Sequence, residues 1–357
     1  MTLSWFSTAI AKPRRNCRIP LACWWCRQTG RSLVVLLSAV LVFAIGGSDK
    51  AMAQEQSYPD RPITIVVPFG VGGSADRMTR TMSNFISDAL GQPVNVINRP
   101  GAGTLIGANY FLSRPDDGYT ILASGFSPYL INTVLNGSAD YGIEDFAYLN
   151  FQWFDEDLVA LYRGAPYQNL AELLEAIRTR PKTVRGAVVK GSAGHLTANL
   201  LLEANGIPPE NLNLVAYNSG GLARAAVAGG VVDFIIISAR GCEGIAEYLR
   251  PLAVNNDVPN DIWQVPPLND LLEPLGTSVP VLPGSIRGYA TSASFKETYP
   301  ARFEMLQQAL IEAMSNPQLQ EMLDRASIGR RWIGPDASME LMQENFELYT
   351  TYSHLIQ

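Results

Sequence analysis

The hydrophobic pattern switches repeatedly between short apolar runs and helical periodicity. Ile63-Thr64-Ile65-Val66-Val67-Pro68-Phe69 is a β-branched apolar run and predicts a buried strand. Gly70-Val71-Gly72-Gly73 is a turn. From Ser74 to Leu90, the residues Met78, Met82, Phe85, Ile86 and Leu90 share one helical face, and Gly91 stops the helix. Residues 93–97 and 119–123 read as two more strands, separated by a turn at 98–103, a helix over 104–112 and a Pro-Asp-Asp-Gly turn at 115–118. Strand, helix, strand, helix, strand predicts a parallel sheet with right-handed crossovers.

The same grammar returns further on. A helix is predicted over 169–179 and a strand over 184–189, then a Gly-rich turn at 191–194 and a helix over 195–205 that Gly206 ends. A strand at 212–217, a turn and helix at 220–229 and a strongly apolar strand at 231–237 complete a second unit. Residues 255–285 are rich in Pro, Asn and Asp, and helices follow at 301–315, 317–326 and 337–355. Two such units with a helical tail predict an α/β protein of two βαβ-type lobes with a cleft between them. Residues 54–158 form the first part of lobe 1, 159–285 form lobe 2, and 286–357 complete lobe 1. The chain crosses between lobes within 146–162 and, as the candidate for its return, within 287–292, giving a two-strand hinge.

The first fifty residues have another character. Lys12, Arg14, Arg15, Arg18, Arg27 and Arg31 precede an uncharged run, Ser32 to Ser48, and Ala51-Met52-Ala53 follows as a small-x-small site. Basic region, apolar region and cleavage site predict a secretory signal cleaved after Ala53; the alternative is an uncleaved anchor at the lower length limit for spanning a bilayer. Seven of the 27 basic and one of the 33 acidic residues lie in this leader, leaving 20 basic and 32 acidic groups. That balance is wrong for nucleic acid. Cys17, Cys23 and Cys26 leave with the leader, so Cys242 has no partner for an internal disulfide, and stability must come from a core. Two His offer little for a metal site, and neither a metal nor a cofactor is expected. The expected location is the periplasm.

The Gly-rich turns carry the candidate chemistry. Ligands of open parallel sheets bind beyond the carboxyl ends of the strands. There Phe69-Gly70-Val71-Gly72-Gly73-Ser74 and Lys190-Gly191-Ser192-Ala193-Gly194 each open a helix. A helix N-terminus presents unpaired N–H groups and partial positive charge, and Gly lets an anion approach them. One such turn per lobe would hold a small carboxylate. No P-loop sequence occurs, and the dinucleotide pattern begun by Gly70-Val71-Gly72 survives only through Ala75 in its last position.

Here a resemblance becomes specific. YPDRPITIVVPFGVGGSADRMTR, LGQPVNVINRPGAGTLIGANYF and RPDDGYTIL resemble the start of the tripartite tricarboxylate transporter substrate-binding family, also called Bug receptors. Gly191-Ser192-Ala193-Gly194-His195-Leu196 fits its G-S-x-x-H-L, and Tyr217 to Gly221 and Ala228 to Asp233 fit two later stretches. The resemblance implies the type II periplasmic binding-protein fold, a monomer that closes on a small organic acid, and delivery to a membrane permease. It implies ligand contacts at Phe69, Gly70, Gly72, Gly73 and Asp76, with Ser124, Gly125, Gly191, Ser192, His195 and Tyr217 beside them. The chain departs from the family at Lys190 and Arg240, where a second carboxylate or solvent is met. At 290–295 it reads Ala-Thr-Ser-Ala-Ser-Phe, and Arg287-Gly288 is similar to the tricarboxylate branch.

Local readings stand beside these. Asp76, repulsive to an anion, is expected to organise the Gly loop, and His195 either touches ligand or caps local structure. An exported hydrolase would need a G-x-S-x-G elbow, which Gly125-Phe126-Ser127-Pro128-Tyr129 fails at its last position. A sensor subunit for a membrane signalling partner would use the same clamshell as a transport receptor. The overall expectation is a non-catalytic receptor.

Overall fold

The structure, a computed structural model, describes residues 58–355; the predicted leader and its cleavage site lie outside the described residues. Strand β1 (Ile63–Val67) is followed by helix α1 (Ser74–Leu90), whose Met78, Met82 and Ile86 are buried as the periodicity requires. Gly91 ends the helix in the left-handed region at φ 64°, and its N–H donates to Asp88 O. Strand β2 (Val94–Asn98), helix α2 (Leu105–Leu112) and strand β3 (Thr120–Ser127) come next. β3 runs further than its apolar pattern predicts and carries Ser124 and Gly125 within it. Helix α3 (Tyr129–Leu135) is buried from Tyr129 to Thr133, so it shows no amphipathic period from which to predict it.

Strands β4 (Phe146–Asp155) and β5 (Asp157–Tyr162) meet at Glu156. The second unit then runs α4 (Leu170–Thr179), β6 (Arg185–Val189), α5 (Ala193–Ala204), β7 (Asn213–Tyr217), α6 (Gly220–Ala228), β8 (Phe234–Ser238), β9 (Leu249–Asn255) and α7 (Leu268–Leu272). Strand β10 (Ser285–Ser292) precedes α8 (Ala293–Thr298), α9 (Pro300–Ser315), α10 (Pro317–Arg325) and α11 (Gly334–Thr351). The five-stranded sheets have orders β2-β1-β3-β10-β4 and β7-β6-β8-β5-β9. The segment 287–292 is therefore part of the first sheet, and the chain returns from the second lobe ahead of Ser285.

The expected parallel sheets are mixed. β10 is antiparallel to β3 and β4, and β5 is antiparallel to β8 and β9. The reversed strand in each sheet is the one by which the chain enters that lobe. The other strands deliver their carboxyl ends to the cleft, so a strand arriving from the cleft must run the opposite way. The crossings also touch: a Cβ on Gly284 (φ 68°) would collide with the Asp155 carbonyl and lie 3.0 Å from Glu156 Cα.

Candidate ligand-binding cleft

The Gly70–Gly73 turn is tied down from within. Gly73 N–H donates to Gly70 O at 3.2 Å, and Gly72, at φ 79°, donates to Asp76 Oδ2 at 2.8 Å. Asp76 is buried; its Oδ1 accepts from Arg80 Nε at 2.9 Å and Asn98 Nδ2 at 2.8 Å. Asn98 Nδ2 also donates to Phe69 O at 3.0 Å. The Asp76 carboxylate is thus spent shaping the loop. No side chain caps α1 at Gly73, so its first turn opens without a protein acceptor on that cap.

Opposite stands the N-terminus of α6. Ser219 caps it through Leu222 N–H, and Gly220 and Gly221 form its first turn. Between the helices lies a cavity of about 40 Å³, lined by Phe69, Gly70, Gly73, Ser74, Ala75, Gly125, Tyr129 and Arg287 of the first lobe. The second lobe contributes Val189, Ser219, Gly220, Arg224, Ile237 and Ser238. Since about 10–15 Å³ admits one water, the space suits one compact acidic group. Phe69 and Tyr129, edge to face at 5.2 Å, and Val189 also border a wider cavity of about 360 Å³, reached by Lys190, Asn218 and the strained turn Gly101 to Thr104. A further cavity, about 550 Å³, lies within the first lobe among Asp116, Asp140, Glu144, Asp145 and Glu297, a poor setting for an anion.

Of the residues singled out by sequence, Phe69, Gly70, Gly73 and Gly125 line the compact cavity, and Lys190 lines the wider one. Gly72 and Asp76 support the loop. Ser124 is buried within β3. Gly191, Ser192, His195 and Tyr217 lie outside both linings. Ser192 caps α5 through His195 N–H, and His195 Nδ1 accepts from Gly191 N–H at 3.4 Å. Burial and the Lys190 charge push the imidazole pKa down, keeping it neutral. Gly191 O accepts from Asn132 Nδ2 across the lobes at 2.6 Å, so this turn is a lobe contact. Tyr217 O accepts from Lys190 N–H at 2.8 Å. In the second lobe the helix start that lines the compact cavity is that of α6, one strand along from the α5 start to which the motif pointed. Arg240 enters through its backbone, its N–H donating to Asp155 Oδ1 at 3.0 Å.

Sequence reasoning missed Ser219, Arg224 and Ser238, and placed Arg287 in a crossing and in a likeness to the tricarboxylate branch, not in the cleft wall. Ser219-Gly220-Gly221 carries the same cap-and-glycine signal as the α5 turn; the arginines carry no local signal. Arg287 pairs with Gly125 on one side and Trp153 on the other, and the register shifts on both sides of it. Such bulges re-aim a side chain. Its guanidinium stacks 4.5 Å from the Trp153 ring centre, donates to Ser238 Oγ at 3.1 Å and pairs with Asp155 at 3.4 Å. Burial pushes Asp155 up to about 6 against the pull of Arg287. Burial and then Asp155 push Asp157 up to about 8, and neither Asp157 oxygen has a hydrogen-bond partner. Burial, followed by Arg224 and Arg287, lowers the pKa of Arg77. Among the described residues, no group of three or more His, Cys, Asp or Glu could hold a metal ion, and no helix is long and apolar enough to cross a membrane.

Comparison with known proteins agrees with this architecture. Protein BugT of Bordetella pertussis (strain Tohama I) is 32% identical over 200 residues, which span 55% of this chain and 60% of BugT. A solved structure described as a periplasmic transporter is 26% identical with a TM-score of 0.69, over 82% of this chain and 96% of the other. MatC from Rhodopseudomonas palustris, solved with bound malate, is 20% identical with a TM-score of 0.70, over 84% of this chain and all of MatC. That likeness is one of fold, the two-lobed fold of periplasmic solute-binding proteins. The sequence profile described as "Tripartite tricarboxylate transporter family receptor" matches residues 78–348. With the Gly-rich loop, the two mixed sheets and the cleft between them accounted for, the chain belongs to the tripartite tricarboxylate transporter receptor family.

Proposed function

We propose that the protein is a periplasmic solute-binding receptor that captures a small organic carboxylate between its lobes and delivers it, unaltered, to a permease of the tripartite tricarboxylate type. The observation that carries this reading is the compact cavity set between the N-termini of α1 and α6, one from each lobe, with two arginines in its wall. Each N-terminus favours an anion by roughly 0.3–1 kcal/mol when exposed and up to about 2 when partly buried. Charge-assisted hydrogen bonds add about 1.5–3 kcal/mol each. The malate held by MatC is a ligand of this chemical kind. Residues 1–53 act as the export signal in this reading.

A thermal-shift screen of the purified protein against small organic acids tests it. A ligand at 100 times its dissociation constant adds about 2.7 kcal/mol. At least one carboxylate should raise the melting temperature, and its uncharged amide should not. Gly73→Val sets a Cβ 3.2 Å from Gly70 O and carries the branched side chain beyond it into the path of the ligand. It should remove the shift while the variant still melts cooperatively. A shift that persists in the variant removes the Gly loop from the site.

A further inference from the structure

We propose that α5 is a closure latch: one stripe of its surface is fastened to the first lobe at both ends, and this fastening holds the lobes together when no ligand is bound. The latch acts without ligand, so it stands apart from the question of what the protein carries.

Residues four apart on a helix share one face. On α5 that spacing runs through His195, Asn199 and Glu203, and Gly191 continues it just ahead of the Ser192 cap. Gly191 O accepts from Asn132 Nδ2 of α3, in the first lobe, at 2.6 Å. Asn199 Nδ2 donates to Leu355 O at 2.6 Å, and Glu203 Oε1 lies 3.6 Å from His354 Nε2. His195 accepts from Gly191 N–H through Nδ1 at 3.4 Å, so the G-S-x-x-H-L stretch holds the peptide that Asn132 grips. From Gly191 to Glu203 the stripe is about 18 Å long. The second lobe is thus held at three separated points: the crossings and the two ends of α5. A rigid body rotates only about a line, so the cleft opens only when a grip lets go.

Residues 353–355 form the far grip. α11 packs on β4, β3 and α3 of the first lobe, and the turn at 353–355 packs on α5. One apolar cluster takes in Leu130 and Tyr349 of the first lobe with Leu196 and Leu200 of α5, and Tyr352 and Leu355 pack against it. The His354–Glu203 pair is exposed and adds little. The seam is not sealed like a core. Asn132 Oδ1, Asn255 Oδ1 and both Asp157 oxygens are buried without a hydrogen-bond partner. Asn255 pairs with Asp157 in the second sheet and donates to Thr197 of α5 at 3.2 Å. Burial and then the Asp157 charge raise the pKa of Tyr349 on α11, so Asp157 faces the first lobe. Such groups regain water when the lobes part, which favours opening. The grips along α5 oppose that pull.

Small-angle scattering of the ligand-free protein tests the latch. N132A, N199A and the double variant are first checked for a native fold by circular dichroism and cooperative melting. Each should have a larger radius than wild type at the same pH and salt, the double variant the largest. Hydrogen exchange read by mass spectrometry is the second measurement. Peptides over 129–136, 193–204 and 349–355 should exchange at least about threefold faster in the double variant. Those over α1 and α9, which pack on each other in the first lobe, should keep wild-type rates. Equal radii, or unchanged exchange over 193–204, overturn the proposal. So does a rise in every peptide, which marks general destabilisation. No ligand is present in either measurement, so each of these failures leaves the receptor reading standing.

Discussion

A buried carboxyl illustrates how single residues set conditions for this protein. Asp157 opens β5 with both oxygens unpartnered, and burial followed by the neighbouring Asp155 charge raises its pKa to about 8. Unfolded, the same group titrates near 3.8. Between those values the native state holds a proton that the unfolded chain has released. Stability is therefore full below about pH 4 for this group and falls as pH rises toward 8. Asp155 adds to the fall up to about pH 6. Asp157→Asn should flatten that slope and be more stable than wild type at pH 8, by about 1 kcal/mol or more, since one pKa unit is worth about 1.4 kcal/mol. Urea midpoints at pH 5 and pH 8 measure it; equal slopes in both proteins contradict it. Gly194 illustrates a different constraint. Its place in the G-S-x-x-H-L stretch suggests ligand contact, yet a Cβ there would strike the Ile236 carbonyl. Gly194→Ala should cost about 1–3 kcal/mol through the packing of α5 on β8.

At the scale of elements, the C-terminal helix shows how distant segments are stitched. Asn150 on β4 accepts from Ile333 N–H at 2.8 Å and Gly334 N–H at 3.1 Å, and donates to Arg331 O at 3.0 Å. One residue later, Phe151 N–H donates to Ser338 Oγ at 3.0 Å. A single amide side chain thus takes two backbone N–H groups at the start of α11 and seats it on the first sheet. Asn150→Ala strands buried N–H groups, each costing about 1–3 kcal/mol. A lowered urea midpoint is expected. The crossing strands are the other critical elements. Gly284 lies at φ 68° against Asp155 and Glu156, so Gly284→Ala combines a strained backbone with a collision between the two crossings. Its melting temperature should fall, and an unchanged value would mean that the crossings have room to shift.

For the whole molecule, the arrangement predicts motion. Two lobes joined at Glu156 and ahead of Ser285, with cations facing one another across the cleft, should close when an anion neutralises them. Small-angle scattering should give a smaller radius with a bound acid than without, and the difference should shrink in R224Q. Equal radii would count against closure. At its far end α11 is followed by Leu355, whose carbonyl accepts from Asn199 Nδ2 of the second lobe at 2.6 Å, and His354 lies 3.6 Å from Glu203. These contacts span the lobes and should exchange amide hydrogen differently in the open and closed states.

Taken alone, the amino-acid sequence determined what depends on neighbours along the chain: β1, the Gly loop and α1, the second unit from β6 to α6, and the family. It also indicated a first crossing within 146–162, because β4 and β5 fall in one apolar stretch. Only the tertiary structure decided which strands reverse, since pairing β10 between β3 and β4 depends on chain entering from the other lobe. Tertiary structure also set the start of α6, and not that of α5, beside the Gly loop in the compact cavity: both have a serine cap and glycines, and the order of strands in the sheet separates them. Arg77, Arg224 and Arg287 are far apart in sequence and look like ordinary surface cations there. Their meeting is a property of two sheets folded face to face, and hydrophobic periodicity carries no information about where a charge will find its counterion.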